Sequence, residues 1–149
     1  MNDSDDTLTE LTRILRESAQ AYFDGDLDTY YGLVRHADDF SLMPPFGGPT
    51  VYGFELTDEA RESTRRTFRG GDDPVEVDIE AAYVGTDLAV MAVVERQAGH
   101  VGDLPPQDWS LRVTLAFRRD ADGWRLVHRH ADALVHPIDW DTVAGLARG

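Results

Sequence analysis

Three polar residues near the end of the chain have the types and spacing of a proton-transfer site. His128, His130 and Asp132 alternate within GWRLVHRHADALV, Gly123–Val135, and alternation is the period of one face of a β-strand. A carboxylate in an apolar pocket has its pKa raised towards neutrality, and a neighbouring imidazole can share the proton. Asp132 and His130 are therefore the candidate catalytic pair, with His128 beside them as a ligand contact. The alternative reading makes the histidines hydrogen-bonded core groups and Asp132 the cap of a strand end. The series could also supply three metal ligands. His-x-His on a single strand is a weak motif, however, and nothing in the sequence places His36, His100 or His136 next to it. No metal and no cofactor are assigned. A nucleophile elbow, a phosphate-binding glycine loop and a dinucleotide fingerprint are all missing from the sequence.

Aromatic and apolar residues give the second set of candidates. Tyr22, Tyr30, Phe46, Trp109 and Phe117, with Met43 and Leu115, could line a pocket for a flat, largely apolar ligand. Ordinary core packing is the competing account for most of them. Phe46 lies in PPFGGP, a proline-stiffened turn suited to a pocket rim.

The elements that must position these residues follow from periodicity. Leu8, Leu11, Leu15, Ala19 and Tyr22 recur at helical spacing, and Thr7 with Glu10 forms a capping box, which predicts a helix over Thr7–Phe23. Gly25 breaks it, and Asp26 caps a shorter helix to about Val34. Short strands are expected around Phe40–Met43 and Thr50–Tyr52. Thr57 opens a third helix, with Asp58 and Glu59 first, Arg65, Arg66 and Arg69 last, and Gly70-Gly71 ending it. From Pro74 the period becomes two. Strands are expected from Val75, over LAVMAVVER, from Trp109 and over the opening stretch. Helices followed by an antiparallel meander make an α+β fold with helices on one face of a curved sheet.

Register assigns the faces. Folding the last hairpin about Ala121-Asp122 sets Leu126 against Phe117, His128 against Leu115, His130 against Val113 and Asp132 against Leu111. The His/His/Asp series then shares the helix side with Trp109, Leu115 and Phe117. The opposite face collects Glu76, Asp78, Glu80, Glu95, Arg112, Arg118, Arg125 and Arg129, with Met91, Val93 and Val127 among them. Opposed charges around an apolar patch suit a homodimer contact, here through the face bearing Arg112, Arg129 and Glu95.

The chain has 149 residues and a formal net charge of -14. All 14 basic residues are arginine, and cysteine is absent. Such acidity repels nucleic acid and anionic lipid, so neither is an expected partner. With no membrane-length apolar run and an acidic N-terminus, a cytoplasmic protein is expected. No repeat or linker divides the sequence, so one domain is expected over 1–149, its core about 7–135 and its tail 136–149.

Two helices broken at GDLD, the segment HADDFSLMPPFGG, a third helix and a meander ending RVTLAFRRDADGWRLVHRHAD resemble the SnoaL-like branch of the nuclear transport factor 2-like superfamily. The resemblance covers roughly Leu8–Val135. It implies a cone-shaped fold, a pocket between helices and concave sheet, and frequent dimers through the sheet. The same fold hosts isomerases, cyclases, hydratases and non-catalytic binders. Cyclases of the branch resemble this chain at the last strand, where Asp132 with His130 is the best match to their acid–base aspartate. Ketosteroid isomerases instead place their base where Pro44 stands and a tyrosine donor near Ser18. Those departures argue against ketosteroid isomerase chemistry. The function expected is that of a small-molecule-pocket protein working by acid–base chemistry (isomerisation, cyclisation or hydration) or a non-catalytic binding domain.

Overall fold

A computed structural model describes residues 2–149. The first helix, α1, spans Asp3–Phe23 and starts four residues earlier than the capping box suggests. Asn2 is the cap that wins: its side chain accepts from the Asp5 N–H at 2.8 Å, and Asp3, Asp5 and Asp6 favour the helix dipole. Leu11, Leu15 and Ala19 are buried on its inner face, whereas Tyr22 is 36% exposed. Gly25 ends the run with φ +77. A Cβ there would also strike the Phe68 carbonyl oxygen, so glycine is required twice over. Asp26 caps α2 (Leu27–Leu33) by accepting from Thr29 N–H. Thr57 caps α3 (Asp58–Thr67) in the same way from Ala60. That helix stops at Thr67, short of the glycine pair, because the chain at Phe68 turns extended and bridges to Val101.

Eight strands follow the alternating sequence: β1 His36–Met43, β2 Val51–Tyr52, β3 Glu76–Val84, β4 Leu88–Arg96, β5 Ala98–Gly99, β6 Gln107–Asp108, β7 Leu111–Asp120 and β8 Gly123–Asp132. Six form one sheet in the order β2-β1-β8-β7-β4-β3, and β5 with β6 makes a separate ribbon. The large sheet is antiparallel except where β1 runs parallel to β8. The helices cover one side of it, giving the expected α+β architecture. The core is Leu11 and Leu15 of α1 packed with Phe40, Met91, Val93, Val113, Leu115, Phe117, Trp124 and Leu126. The tail, expected to be featureless, carries a further helix, α4 (Trp140–Leu146), with Trp140 87% exposed. No helix among the described residues is long and apolar enough to cross a membrane.

The last hairpin corrects the expected register. Phe117 does face Leu126, but Ala116 faces His128, so Val127 is an extra residue bulged out of the ladder. A bulge restarts the alternation in the opposite phase. Beyond it Arg129 and Ala131 pair with Leu115 and Val113 on the helix side, while His128, His130 and Asp132 pair with Ala116, Thr114 and Arg112 on the outer side. The face expected for β4 is also reversed. Met91, Val93 and Glu95 are buried on the helix side, and Val90, Ala92 and Val94 lie outside. That strand is apolar at both parities, so a period of two carried no information about it.

Candidate functional site

The reversal of β4 and the bulge in β8 together bring two charges into the helix-side interior. Arg129 donates from Nη1 and Nη2 to the two carboxylate oxygens of Glu95, at 2.9 and 2.8 Å. The Glu95 side chain is 8% exposed and that of Arg129 23%. Burial works against the Arg129 charge, but attraction to Glu95 and the hydrogen bonds to it outweigh that cost and raise its pKa. A bidentate pair uses two of five guanidinium N–H donors, so three remain for other acceptors.

An aromatic surround frames this pair. Tyr22 of α1 meets Tyr30 of α2 edge-on with centroids 5.1 Å apart, and Phe68 at 5.5 Å. Phe68 continues to Trp109 at 6.4 Å, and Tyr30 to Phe54 at 5.7 Å. Burial raises the phenol of Tyr22 although one edge of its ring reaches solvent; Arg129 and a hydrogen bond with Thr64 oppose the rise. Burial raises Tyr30 more strongly, again against Arg129. Both phenols therefore hold their protons through the neutral range. The half-exposed Tyr22, half-buried Phe68 and half-buried Trp109 form an opening towards solvent at this end of the sheet.

His36 stands behind Tyr30. Its Nε2 lies 3.2 Å from the Tyr30 hydroxyl, and its ring stacks on Phe54 at 4.1 Å with planes 5° apart. Desolvation pushes its pKa down to about 4, with the Val34 carbonyl opposing. His36 is thus neutral above that range.

The residues singled out from sequence divide between the two faces. Tyr22, Tyr30 and Trp109 surround the interior charges. Leu115 and Phe117 are 2% exposed and belong to the core. Met43 pairs with His130 on the outer side, 42% exposed, and Phe46 stands 84% exposed at the tip of the β1–β2 hairpin. His128 hydrogen-bonds Ser41 Oγ at 2.7 Å. Asp132 accepts two hydrogen bonds from Arg112 at 2.8 Å, and these hold its pKa below the usual carboxylate range, the reverse of the rise expected in an apolar pocket. His130, Asp132, Arg112, Thr114 and Ala92 line an open depression of about 330 Å³ on the outer face. Glu95 and Arg129, expected on that face, lie on the other. Among the described residues no group of three or more His, Asp or Glu is placed to hold a metal ion.

Sequence reasoning missed Glu95, Arg129, His36, Thr64 and Phe68 as neighbours. One signal existed for Glu95: an acid closing the apolar run LAVMAVVE is out of place unless it is paired.

The chain was compared with known proteins. No curated protein matches it significantly. Among solved structures it is similar to a nuclear transport factor 2-like superfamily protein of Salmonella enterica, with 17% identity, TM-score 0.66 and 95% of each chain covered. It is similar to a proposed dehydratase of the NTF2-like family from Streptomyces avermitilis, with 20% identity, TM-score 0.61 and coverage of 89% and 99%. It is also similar to the association domain of C. elegans CaMKII, with 16% identity, TM-score 0.61 and coverage of 88% and 99%. At these identities the likeness establishes the NTF2-like fold. The profile of the SnoaL-like domain matches residues 12–135, from the middle of α1 to just past β8, and on that match the chain belongs to the SnoaL-like family.

Proposed function

We propose that this protein holds a small, largely apolar molecule at the open end of its cone. Its polar group would sit against the Glu95–Arg129 pair and its body among Tyr22, Tyr30, Phe68 and Trp109. The single observation that carries the reading is the two-point ion pair inside an otherwise apolar core. A buried charge pair adds little net stability over well-packed apolar residues, so its presence fits a binding role. With both carboxylate oxygens engaged, Glu95 is a weak proton acceptor at rest, which favours binding without turnover. Acid–base chemistry is the second reading. It is supported by Tyr22 and Tyr30 beside the pair, and it requires a ligand that loosens the grip of Arg129 on Glu95. The test is a thermal-shift and calorimetric screen of flat aromatic ketones against the wild type and Trp109→Ala. Hits that weaken at least tenfold in the variant support the site. Hits that bind both proteins equally place it elsewhere.

The same reading includes a homodimer through the outer sheet face. Val90, Ala92, Val94 and Ala116 form its centre, and the ion pairs Arg112–Asp132, Arg118–Asp39 and Arg96–Asp78 surround them. Arg112 stays in this surface, whereas Arg129 and Glu95 leave it. Sedimentation of Ala116→Arg checks the surface: a monomer is expected where the wild type is dimeric, and an unchanged mass rejects it.

A further inference from the structure

The Tyr30 hydroxyl stands between His36, whose Nε2 is 3.2 Å away, and the Glu95–Arg129 pair, whose charges both act on the phenol. The imidazole is clamped in orientation. Phe54 stacks flat on it at 4.1 Å and Phe40 meets it edge-on at 4.7 Å. Its far nitrogen, Nδ1, is buried without a well-formed hydrogen bond, and the Val34 carbonyl is the backbone acceptor that favours a ring proton. A neutral imidazole carries one N–H. With that proton on Nδ1, towards the backbone, Nε2 offers Tyr30 a lone pair. Tyr30 keeps its own proton, since burial disfavours the phenolate. The proton between the two rings is therefore the phenol's, and it points at His36. What Tyr30 turns towards the interior is an oxygen with lone pairs only. Arg129, gripping Glu95 with two N–H groups, has only donors left to offer.

We infer that His36 makes Tyr30 a fixed hydrogen-bond acceptor, so that the molecule bound beside Glu95–Arg129 carries a hydroxyl donor for Tyr30 and a carbonyl acceptor for Arg129 on one flat apolar body. The ligand class is a phenolic or hydroxylated aromatic ketone. This rests on the interior binding site proposed above. His36 is a positioning residue, because it touches Tyr30 and not the ligand. The discrimination it creates is of the strong kind: a ligand lacking the donor leaves a buried acceptor unpaired, whereas adding a methyl group to an apolar body changes little.

The experiment measures the affinities of para-hydroxyacetophenone, para-methoxyacetophenone and acetophenone by calorimetry and ligand-observed NMR. In the wild type the hydroxy compound is expected to bind at least about tenfold more tightly than the other two. His36→Phe keeps the stack on Phe54 but removes the lone pair, so the Tyr30 O–H is free to turn and donate. The ratio of hydroxy to methoxy affinity is expected to collapse to within about threefold, with the methoxy compound gaining. Tyr30→Phe, which keeps the ring, should collapse the ratio as well. A uniform loss in His36→Phe with the ratio intact would show a merely structural histidine and overturn the inference. Equal binding of all three probes by the wild type, weakened by Trp109→Ala, overturns it while leaving the interior site standing. Failure of every probe to bind overturns it together with the site.

Discussion

Arg129 reaches across the width of β7 to hold Glu95. The two residues sit on β8 and β4, with β7 between them, and Glu95 pairs with Leu111 while Arg129 pairs with Leu115. The grip is therefore diagonal, spanning three strands on the face that the helices cover. It ties the centre of the sheet to the half of β8 that follows the bulge.

Removing either partner should be costly, because the survivor is left charged and buried. Glu95→Met or Arg129→Met alone is expected to lose about 3–5 kcal/mol of stability. The double Met variant should return most of that loss, since two apolar side chains of similar volume can replace a buried pair. Urea denaturation of the four proteins closes the cycle. Additive single losses, with no recovery in the double variant, would mean that the pair does not act as a unit. In Arg129→Met the isolated Glu95 carboxyl should take up a proton more readily than an ordinary glutamate, making that variant's stability fall as pH rises.

His36 predicts a pH window. Its folded pKa is depressed to about 4, while an unfolded histidine titrates near 6.5. Between those values the unfolded chain binds a proton that the native state refuses. Stability from this residue is thus fully present above about 6.5 and is lost as pH falls towards 4. Carboxylates held low by partners, such as Asp39 by Arg118 and Asp132 by Arg112, lose their contribution in a more acidic range. Urea midpoints measured from pH 7.5 to 4 should decline less steeply in His36→Phe than in the wild type. Parallel curves would show that His36 does not supply the slope.

Asp132→Asn should be mild. Its ion pair with Arg112 is partly exposed, with side-chain exposures of 33% and 54%. Such pairs contribute up to about 1 kcal/mol. Asparagine also keeps an oxygen to accept from the Leu134 N–H at the strand end. The expected outcome is a shift in melting temperature of a few degrees at most, with affinity for aromatic ketones unchanged. Loss of binding without loss of stability would return Asp132 to the functional site.

Much of the fold was legible because local chemistry decided it. LAVMAVVER became β4 residue for residue, Thr57 and Asp26 capped the helices expected of them, and Gly25 broke α1. The site was legible in part. Tyr22, Tyr30 and Trp109 were found through their aromatic character, which serves core and pocket alike. Glu95 and Arg129 were assigned to the wrong face for two separate reasons. In β4, both parities of the strand are apolar, so the pattern does not say which side is inside. In β8, Trp124 and Leu126 fix the phase of the first half correctly, and Val127 then cancels it for the second. No residue type announces a bulge at that position. Val127 is an ordinary strand former, and the inserted residue is visible only in the pairing with β7.

One bulged valine has a consequence for comparing this chain with its relatives. Without it, the same letters VHRHAD would turn histidines inward and arginine outward. A slide of about 3.3 Å, one strand residue, separates the two arrangements. Homologues that lack the extra residue, or carry it a position away, would align with this chain letter by letter while lining their cones with the alternate set. Transfer of functional residues along the final strand is thus safe up to Leu126 and ambiguous after it, and the ladder with β7 is the guide to which side a residue serves.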